Sequence, residues 1–340
     1  MSILIPKINK DFHQKLLSND EDNLIRRADN RILNEYRPIS INHITSSFNS
    51  PIRVNIGNTS IISQINAKLV KPKQERPSEG IISFSVDTRH LKANADFTSS
   101  NEALNELRIS INNILEKCLK QSHALDSNIL CVIPGKLVWK IILEINVIKN
   151  DGNLFDASII SALCSWLTYK IPFFRIKGQE LYYDSFINLT TIHMPICITN
   201  GIFLKKNKNE DVIFILDNNL EEESILSGNV SICANIFGEI SYMQMNTEAQ
   251  IGLEDMEKLI NSTETNVEFL HKKIKNFVEQ ENKRVENLIK SMKIKEKNDE
   301  MESNNNNLME VDDENNKKQI QNMMIIEENN GKSINILEKK

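Results

Sequence analysis

The segment at residues 128–168 constrains the fold more than any other part of the chain. Two apolar runs flank Pro134-Gly135, and the second run continues to the turn sequence Asn150-Asp151-Gly152. The helix-forming segment after this turn carries small residues at Ala157, Ser158, Ser161 and Ala162. Small side chains allow a helix to lie close against a sheet. A strand, a tight turn and a small-faced helix in this order predict the core of an α+β domain.

Apolar periodicity predicts the elements on both sides of this core. An amphipathic helix is predicted at 8–27, and a polar linker follows it. Alternating apolar positions predict strands at 39–45, 52–56, 60–70, 81–87, 173–177, 192–204 and 211–216. Helices are predicted at 101–121 and 219–227, and a final hairpin at 229–236 and 239–245. This order predicts one α+β unit built from two βαβ-like halves.

A long helix is predicted at 253–292, where apolar residues recur every three or four positions and Glu281 is the one polar break. Its lysines are explained either by a solvated face or by a nuclear-import signal. Residues 293–340 are rich in asparagine and acidic side chains, and we expect them to be disordered. The expected divisions are a helical extension at 1–25, a domain at 26–252, the helix, and the tail.

The amino-acid composition limits the classes of protein to which this chain can belong. The chain has 41 basic and 46 acidic residues, so its overall charge does not predict nucleic-acid binding. Five cysteines without a CxxC pair predict buried free thiols in a reducing compartment. No apolar run is long enough to cross a bilayer, and we expect a soluble intracellular protein without membrane partners. The histidines have no metal-ligand spacing, and no glycine-rich phosphate loop is present, so neither a metal nor a cofactor is expected.

Five segments together resemble one known family. They are RxDNRxxxEYRPI at 27–39, INAKLVKPKQERPSEGIISF at 65–84, CLKQSHALDSNILCVIPGKLVW at 118–139, KNDGNLFDASIISALC at 149–164 and IHMPIC at 192–197. In this order they resemble the RNase PH family over roughly residues 20–275, and within it the ring subunits of the RNA exosome. The resemblance implies an RNase PH-type fold, which is similar to ribosomal protein S5 domain 2.

The resemblance also shows where this chain departs from active members, which cleave RNA by phosphate attack on the terminal phosphodiester. That chemistry needs arginines to hold phosphate and a pair of carboxylates. In the family, a pair of arginines opens the central helix. The corresponding segment of this chain has no arginine at its start, and Arg108 lies a turn or two further inside. Phe155 stands where an arginine follows the DG turn, and Glu223 replaces the second aspartate. Asp217 remains, and we interpret it as a strand-end and helix-capping residue.

The basic loop at 71–80 has two interpretations. Lys71, Lys73 and Arg76 form either a solvated surface loop or a basic edge that touches RNA phosphates. The resemblance favours the second, because family members point this connection toward the central pore of the ring. Lys92 and Arg108 are further candidates for RNA binding.

The expected function is therefore a non-catalytic subunit that scaffolds 3′-to-5′ RNA processing and degradation and lines the RNA channel. Implied partners are other RNase PH-fold exosome subunits in a hexameric ring, cap proteins with RNA-binding domains, an associated 3′-to-5′ nuclease, and RNA. Implied locations are the nucleus, the nucleolus and the cytoplasm. Two alternatives remain: an active phosphate-dependent 3′-to-5′ exoribonuclease and a free-standing RNA-binding module. The second is opposed by the lack of an aromatic-rich basic face.

Overall fold

A computed structural model describes residues 7–18, 27–93, 101–177, 180–204, 212–247 and 249–303. Within these ranges, no helix combines the length and the apolar character that a bilayer crossing requires. The part of the first predicted helix at 19–26 and the part of the predicted tail beyond 303 lie outside the described residues.

The first sheet is built around two long antiparallel strands. Its strands are β1 (Ile39–His43), β2 (Ile52–Ile56), β3 (Thr59–Val70), β4 (Ile81–Asp87), β5 (Cys131–Ile133) and β6 (Leu137–Lys149). They lie in the order β1-β2-β3-β6-β4, with β5 paired to β6. β4 runs parallel to β6, and β3 runs antiparallel to it. Buried and more exposed residues alternate along β3 and β6, as in a sheet with one covered face.

The helix after the DG turn covers that face. This helix is α4 (Leu154–Thr168), and its small residues lie against β3 as predicted. Ser63 Oγ donates to the Ser161 carbonyl at 2.9 Å and lies 2.5 Å from Ser165 Oγ. Such a close approach requires small side chains on both elements. Ile159, Ile160 and Trp166 of α4 fill the surrounding core.

The second half of the chain forms another antiparallel sheet on the other side of α4. A separate hairpin, β7 (Lys170–Lys177) and β8 (Glu180–Asn188), precedes it. The second sheet contains β9 (Ile196–Leu204), β10 (Val212–Leu216), β11 (Gly228–Ala234) and β12 (Ile240–Thr247), in the order β10-β9-β11-β12. The fold is α+β, with α4 packed between β3 and β9, which confirms the predicted class.

The remaining helices complete the core. They are α1 (Lys7–Ser18), α2 (His90–Ala93), α3 (Asn101–Leu115), a π-helix at Glu116–Gln121, α5 (Leu220–Glu223) and α6 (Leu253–Ser303). α6 packs on α4 and β9 through buried Val267, Leu270 and Ile274. All five cysteines are free, and four of them are buried, in agreement with the expectation of buried thiols.

Several predicted boundaries were wrong for local physical reasons. The predicted strand 192–204 begins at Ile196, because Pro195 has no amide hydrogen for the ladder. The predicted strand to 236 ends at Ala234, because Asn235 Oδ1 accepts the amides of Phe237 and Glu239 in the turn. The predicted helix 101–121 widens into the π-helix after Leu115. The long helix continues beyond 292 to Ser303, and β8 was not predicted at all.

Candidate functional site

The motif at residues 27–37 places three arginines against the end of β10. Arg27 Nε donates to Glu222 Oε1 at 2.7 Å, and its other nitrogens reach Glu222 Oε2 and the Leu216 carbonyl. Both side chains of this ion pair are buried. The arginine is therefore a structural tie between the start of the domain and α5.

Asp217 is the centre of the second ion cluster. Arg37 donates to both of its carboxylate oxygens, at 2.9 and 2.8 Å, and Arg31 Nη1 lies 3.3 Å from Oδ2. Asn153 Nδ2 donates to Oδ1 at 2.7 Å. Burial alone would raise the pKa of Asp217, but the hydrogen bonds from Arg37 hold it below its usual value. Both oxygens are thus engaged by groups of the protein itself.

The interpretation of Asp217 as a helix cap was wrong. It follows β10 directly, at a positive φ of 49°, and its side chain points to the arginines. The residue that caps α5 is Asn219, whose side chain accepts from the Glu222 amide at 2.8 Å. The sequence favoured Asp217 because an aspartate before a helix is a common cap, and it could not show that two distant arginines compete for it.

The DG turn lies against the same segment. Gly152 has a φ of +85°, and a Cβ there would lie 2.4 Å from the Asn218 carbonyl oxygen and 2.7 Å from the Asn219 carbonyl carbon. Only glycine allows this approach between two backbone segments. The next amide, of Asn153, donates to Glu223 Oε1 at 2.8 Å. The turn therefore positions Glu223, the residue that replaces the family's second aspartate.

A cavity of about 290 Å³ opens beside this turn. Its lining residues come from α3, the turn, α4, β9, the α5 region and the β11–β12 pair: Leu107, Asn150, Asn153, Leu154, Phe155, Thr199, Asn218, Leu220, Glu223, Ser224, Leu226, Gly228, Asn229 and Asn246. Among the described lining residues, Glu223 alone is charged. Burial raises its pKa to about 7. Asn153 Oδ1 is buried and has no hydrogen-bond partner within the described part of the chain.

The electrostatics of this cavity are opposite to those of a phosphate site. Among the described residues that line it, none is an arginine or a lysine. The guanidinium groups of the 27–37 motif are already paired with Glu222 and Asp217. A phosphate dianion would find no cation among these residues, and the ionised form of Glu223 would repel it. Phe155 lines the cavity where the family resemblance places an arginine.

The five candidate RNA-binding residues do not form one cluster. Lys71, Lys73 and Arg76 lie together in the exposed connection between β3 and β4. Lys92 follows the other end of β4, about 20 Å away for a strand of that length. Its side chain lies outside the described part. Arg108 is exposed on α3, one turn after Leu104, whose carbonyl accepts from Thr88 at that same far end.

One buried carboxyl near the site was not singled out from the sequence. Asp156 of α4 accepts from the Tyr36 hydroxyl at 2.9 Å and from Thr199 Oγ1 at 2.8 Å. Burial raises its pKa to about 6. The signal available in the sequence was an aspartate inside a helix of otherwise apolar and small residues. Such a residue is expected to need partners from other elements.

Comparisons with known proteins identify the family and the fold that this chain resembles. A model of the RNase PH family, described as the 3′ exoribonuclease family, domain 1, matches residues 35–172. Exosome complex component RRP45 of Danio rerio is 32% identical over 224 residues, covering 64% of this chain and 54% of that protein. Exosome complex component RRP45A of Arabidopsis thaliana is 31% identical over 227 residues, covering 64% of this chain and 70% of that protein. The chain spans about half the length of most of the RRP45 relatives it matches.

Solved structures give the same fold. An archaeal exosome core has a TM-score of 0.62 at 20% identity, covering 79% of this chain and 96% of the other. An Archaeoglobus fulgidus exosome with RNA bound to the active site has a TM-score of 0.64 at 19% identity, covering 78% and 97%. Within the family, the segments at 128–139 and 192–197 resemble the subunit called ribosomal RNA-processing protein 45. The matches to RRP45 confirm that prediction.

Proposed function

This chain belongs to the 3′ exoribonuclease family of RNase PH, and from that membership we propose that it is an exosome ring subunit that does not itself cleave RNA. The observation that carries the proposal is the cavity beside the DG turn, whose described lining holds Glu223 and no cation. Phosphorolysis needs a bound phosphate nucleophile, and guanidinium groups are what hold phosphate in two-point contacts.

The presence of Asp217 does not restore phosphorolysis. Both oxygens of Asp217 accept hydrogen bonds from Arg37, and Asn153 donates to one of them. A carboxylate in this state is poorly placed to hold a metal ion or to donate a proton to a leaving group. The three arginines of the motif serve the packing of residues 27–37 on 216–222. This arrangement supports a scaffold role over the alternative of an active phosphate-dependent exoribonuclease.

As a ring subunit, the chain would contact other RNase PH-fold subunits in a hexameric ring, cap proteins with RNA-binding domains and an associated 3′-to-5′ nuclease. The domain at 26–252 would supply the ring surface, and the tail beyond the end of α6 at Ser303 would remain outside it. RNA would pass along the loop that carries Lys71, Lys73 and Arg76. The names of the relatives support nuclear, nucleolar and cytoplasmic locations, where exosome complexes process and degrade RNA.

The test of inactivity is a phosphorolysis assay on the purified full chain and on the complex it co-purifies with. We expect no release of nucleoside diphosphates from single-stranded RNA in the presence of phosphate. Glu223→Gln is the diagnostic variant, because it keeps an acceptor for the Asn153 amide and removes the ionisable group. Asp217→Ala is unsuitable, since it would leave buried arginines unpaired and unfold the site.

The matched control is Glu257→Gln, an exposed carboxylate on α6. Nucleoside diphosphate release that Glu223→Gln abolishes and Glu257→Gln leaves intact would establish the active exoribonuclease instead. Activity that neither variant changes would come from another subunit of the complex.

A further inference from the structure

A second cavity, of about 350 Å³, lies at the opposite end of β4 from Lys92. One wall is the basic loop, which contributes Lys73, Arg76 and Glu79. The other wall is the end of the π-helix, which contributes Lys120, and the segment after it, which contributes His123 and Ser127. Sequence reasoning singled out the loop, but it did not connect the loop with this second segment.

The backbone of the second wall is irregular in a way that serves the groove. The helix widens to a π-helix at Glu116–Gln121, a form that is rare and often found at functional sites. His123 then adopts a φ of +56°, and its amide donates to the Lys120 carbonyl at 3.1 Å. This turn places His123 and Lys120 on the same cavity.

The π-helix also separates its two neighbouring lysines. Lys117 Nζ lies 5.1 Å from the centre of the Tyr242 ring and 3.5 Å from its hydroxyl, against β12. Lys120 instead lines the groove beside the loop. Lys120 therefore lines the groove, and Lys117 of the same π-helix lies on another face and can serve as its control.

Both walls are held together before any ligand arrives. The Gly80 amide donates to the Ser127 carbonyl at 2.9 Å, and the Gly135 amide donates to the Pro77 carbonyl at 2.9 Å. These bonds join the loop to the second wall and to the β5–β6 turn. A preformed groove loses less conformational entropy on binding than a free loop does.

The cations of the groove are available for a ligand. Lys73 has no ion-pair partner within the described ranges, and it is exposed. Arg76 pairs with Glu79 at 3.1 Å and Lys120 with Glu116 at 3.8 Å, with the basic side chains 62% and 46% exposed. Exposed pairs of this kind contribute little and exchange readily for a stronger anion.

The described lining of the groove holds three basic side chains, Lys73, Arg76 and Lys120, and two acidic ones, Glu75 and Glu79. Lys71 and Lys136 lie beside the groove, on the loop and on the turn that the Pro77 carbonyl fixes. The cavity beside the DG turn, by contrast, has Glu223 and no cation among its described lining residues. The groove therefore offers cations to the phosphates of a polyanion, and the described lining of the DG-turn cavity offers none.

We propose that the groove between the loop and the π-helix binds the phosphate backbone of single-stranded RNA, with Lys120 and His123 acting together with Lys73 and Arg76. The inference rests on the proposed function, because it names further residues of the RNA path. The ligand class follows from flexible exposed cations on two preformed walls, which suit successive phosphates. Acidic residues in the same walls would repel one compact multivalent anion. An extended strand has its phosphates spaced apart, so it can contact the cations without approaching every acidic group.

The experiment measures binding of a single-stranded oligonucleotide to the complex purified on the tagged full chain, over a series of salt concentrations. The groove variant is Lys120→Ala with His123→Ala, and the control is Lys117→Ala. We expect the groove variant to weaken binding roughly fivefold at moderate salt and the control to leave it unchanged. For single strands, each lost phosphate contact should reduce the slope of log affinity against log salt by about 0.7.

The loop variant Lys73→Ala with Arg76→Ala distinguishes RNA binding by the loop alone from RNA binding by the whole groove. Loss of affinity and slope in the loop variant alone, with the groove variant equal to Lys117→Ala, would overturn the groove and keep the RNA role of the loop. Unchanged binding in both variants would overturn the RNA role of this end of the chain altogether. Photocrosslinks from thiouridine-containing RNA to residues 71–80 and 120–127 in one complex would support the groove directly.

Discussion

At the residue scale, the carboxylate of Asp217 is buried, and Arg31, Arg37 and Asn153 contact its oxygens. A buried charge is stable only when such partners replace the water that it has lost. Its lowered pKa has a defined consequence for acid stability. The contribution of Asp217 is present above the pKa of an unfolded aspartate and is lost as the pH falls through the lower folded value.

The first prediction is that Asp217→Asn destabilises the domain by about 3 to 5 kcal/mol, because Arg31 and Arg37 lose a buried charged partner. Denaturant unfolding monitored by circular dichroism measures the change. The matched control is Asp29→Asn, since Asp29 pairs with Arg31 but is 39% exposed. We expect the control to cost about 1 kcal/mol or less. Equal losses in the two variants would refute the central role of Asp217.

The second prediction concerns the DG turn. Gly152→Ala combines a left-handed φ with a clash against the backbone of residues 218–220, and we expect a loss of about 3 kcal/mol or more. Gly135→Ala has a similar φ of +75° but no atom within 4 Å of the new Cβ. It should cost only about 1 kcal/mol. Thermal unfolding of the two variants separates the effect of the backbone contact at residue 152 from the effect of the left-handed φ. Similar losses of stability in both variants would show that the contact is unimportant.

The third prediction is a pH dependence from Glu223. Its folded pKa of about 7 lies above the ordinary 4.5, so the folded state holds the proton more tightly than the unfolded state. Stability relative to Glu223→Gln should therefore fall as the pH rises from about 4.5 to 7 and level off above that range, by up to about 3 kcal/mol. Melting temperatures of both proteins across this range measure the difference. A constant offset would mean that the carboxyl titrates normally.

At the element scale, the sequence predicted most helices and strands because their apolar period is local. That the phosphate arginines are missing was inferred by matching residues to the family resemblance, and it stays a prediction. The sequence could not predict the cavity, which brings Asn150, Glu223 and Asn246 together from different elements. The separation of Lys92 from the loop, by contrast, follows from the strand predicted at 81–87, which the structure has as β4 between them.

The polar break in α6 has a structural explanation. Glu281 Oε2 lies 2.5 Å from His43 Nε2, and Oε1 lies 2.6 Å from Arg284 Nη2. His43 also stacks on Phe277, one turn earlier in α6. Burial would raise the pKa of Glu281, but the hydrogen bond to His43 keeps it lowered. The glutamate therefore fixes the helix on β1, a contact that periodicity alone cannot reveal.

The fourth prediction tests how α6 is held. Ile274→Ala removes a side chain that is 1% exposed in the main core, and we expect a loss of about 2 to 4 kcal/mol. Phe269→Ala, on the same helix, removes a ring that is 45% exposed and should cost much less. Denaturant titration of both variants measures this. If the two losses are alike, α6 is not part of the domain core.

At the whole-molecule scale, several large apolar side chains remain exposed on the described surface. Phe237 at the β11–β12 turn is 80% exposed, and Ile192 is 66% exposed. β12 is an edge strand of the second sheet within the described residues. Exposed apolar residues beside an open edge are features of a surface that another subunit covers.

The fifth prediction follows for the isolated chain. Expressed alone, it should self-associate at micromolar concentration, because edge strands and exposed apolar residues pair with other copies. Co-expression with an RNase PH-fold partner should give a defined assembly. Size-exclusion chromatography with light scattering distinguishes the two states. A stable monomer that does not bind such a partner would contradict the ring role.

The ion pairs between residues 27–37 and 216–222 also determine when the domain can close during synthesis on the ribosome. Arg27 and Glu222 are separated by 195 positions, and Arg37 and Asp217 by 180. At about 5 to 20 residues per second, the arginines emerge on the order of ten to forty seconds before their acidic partners. The first sheet can complete its pairing once β6 has emerged, but the nascent domain cannot close until the acidic partners follow. A stalled or prematurely terminated chain would therefore present an unfinished surface to chaperones and proteases.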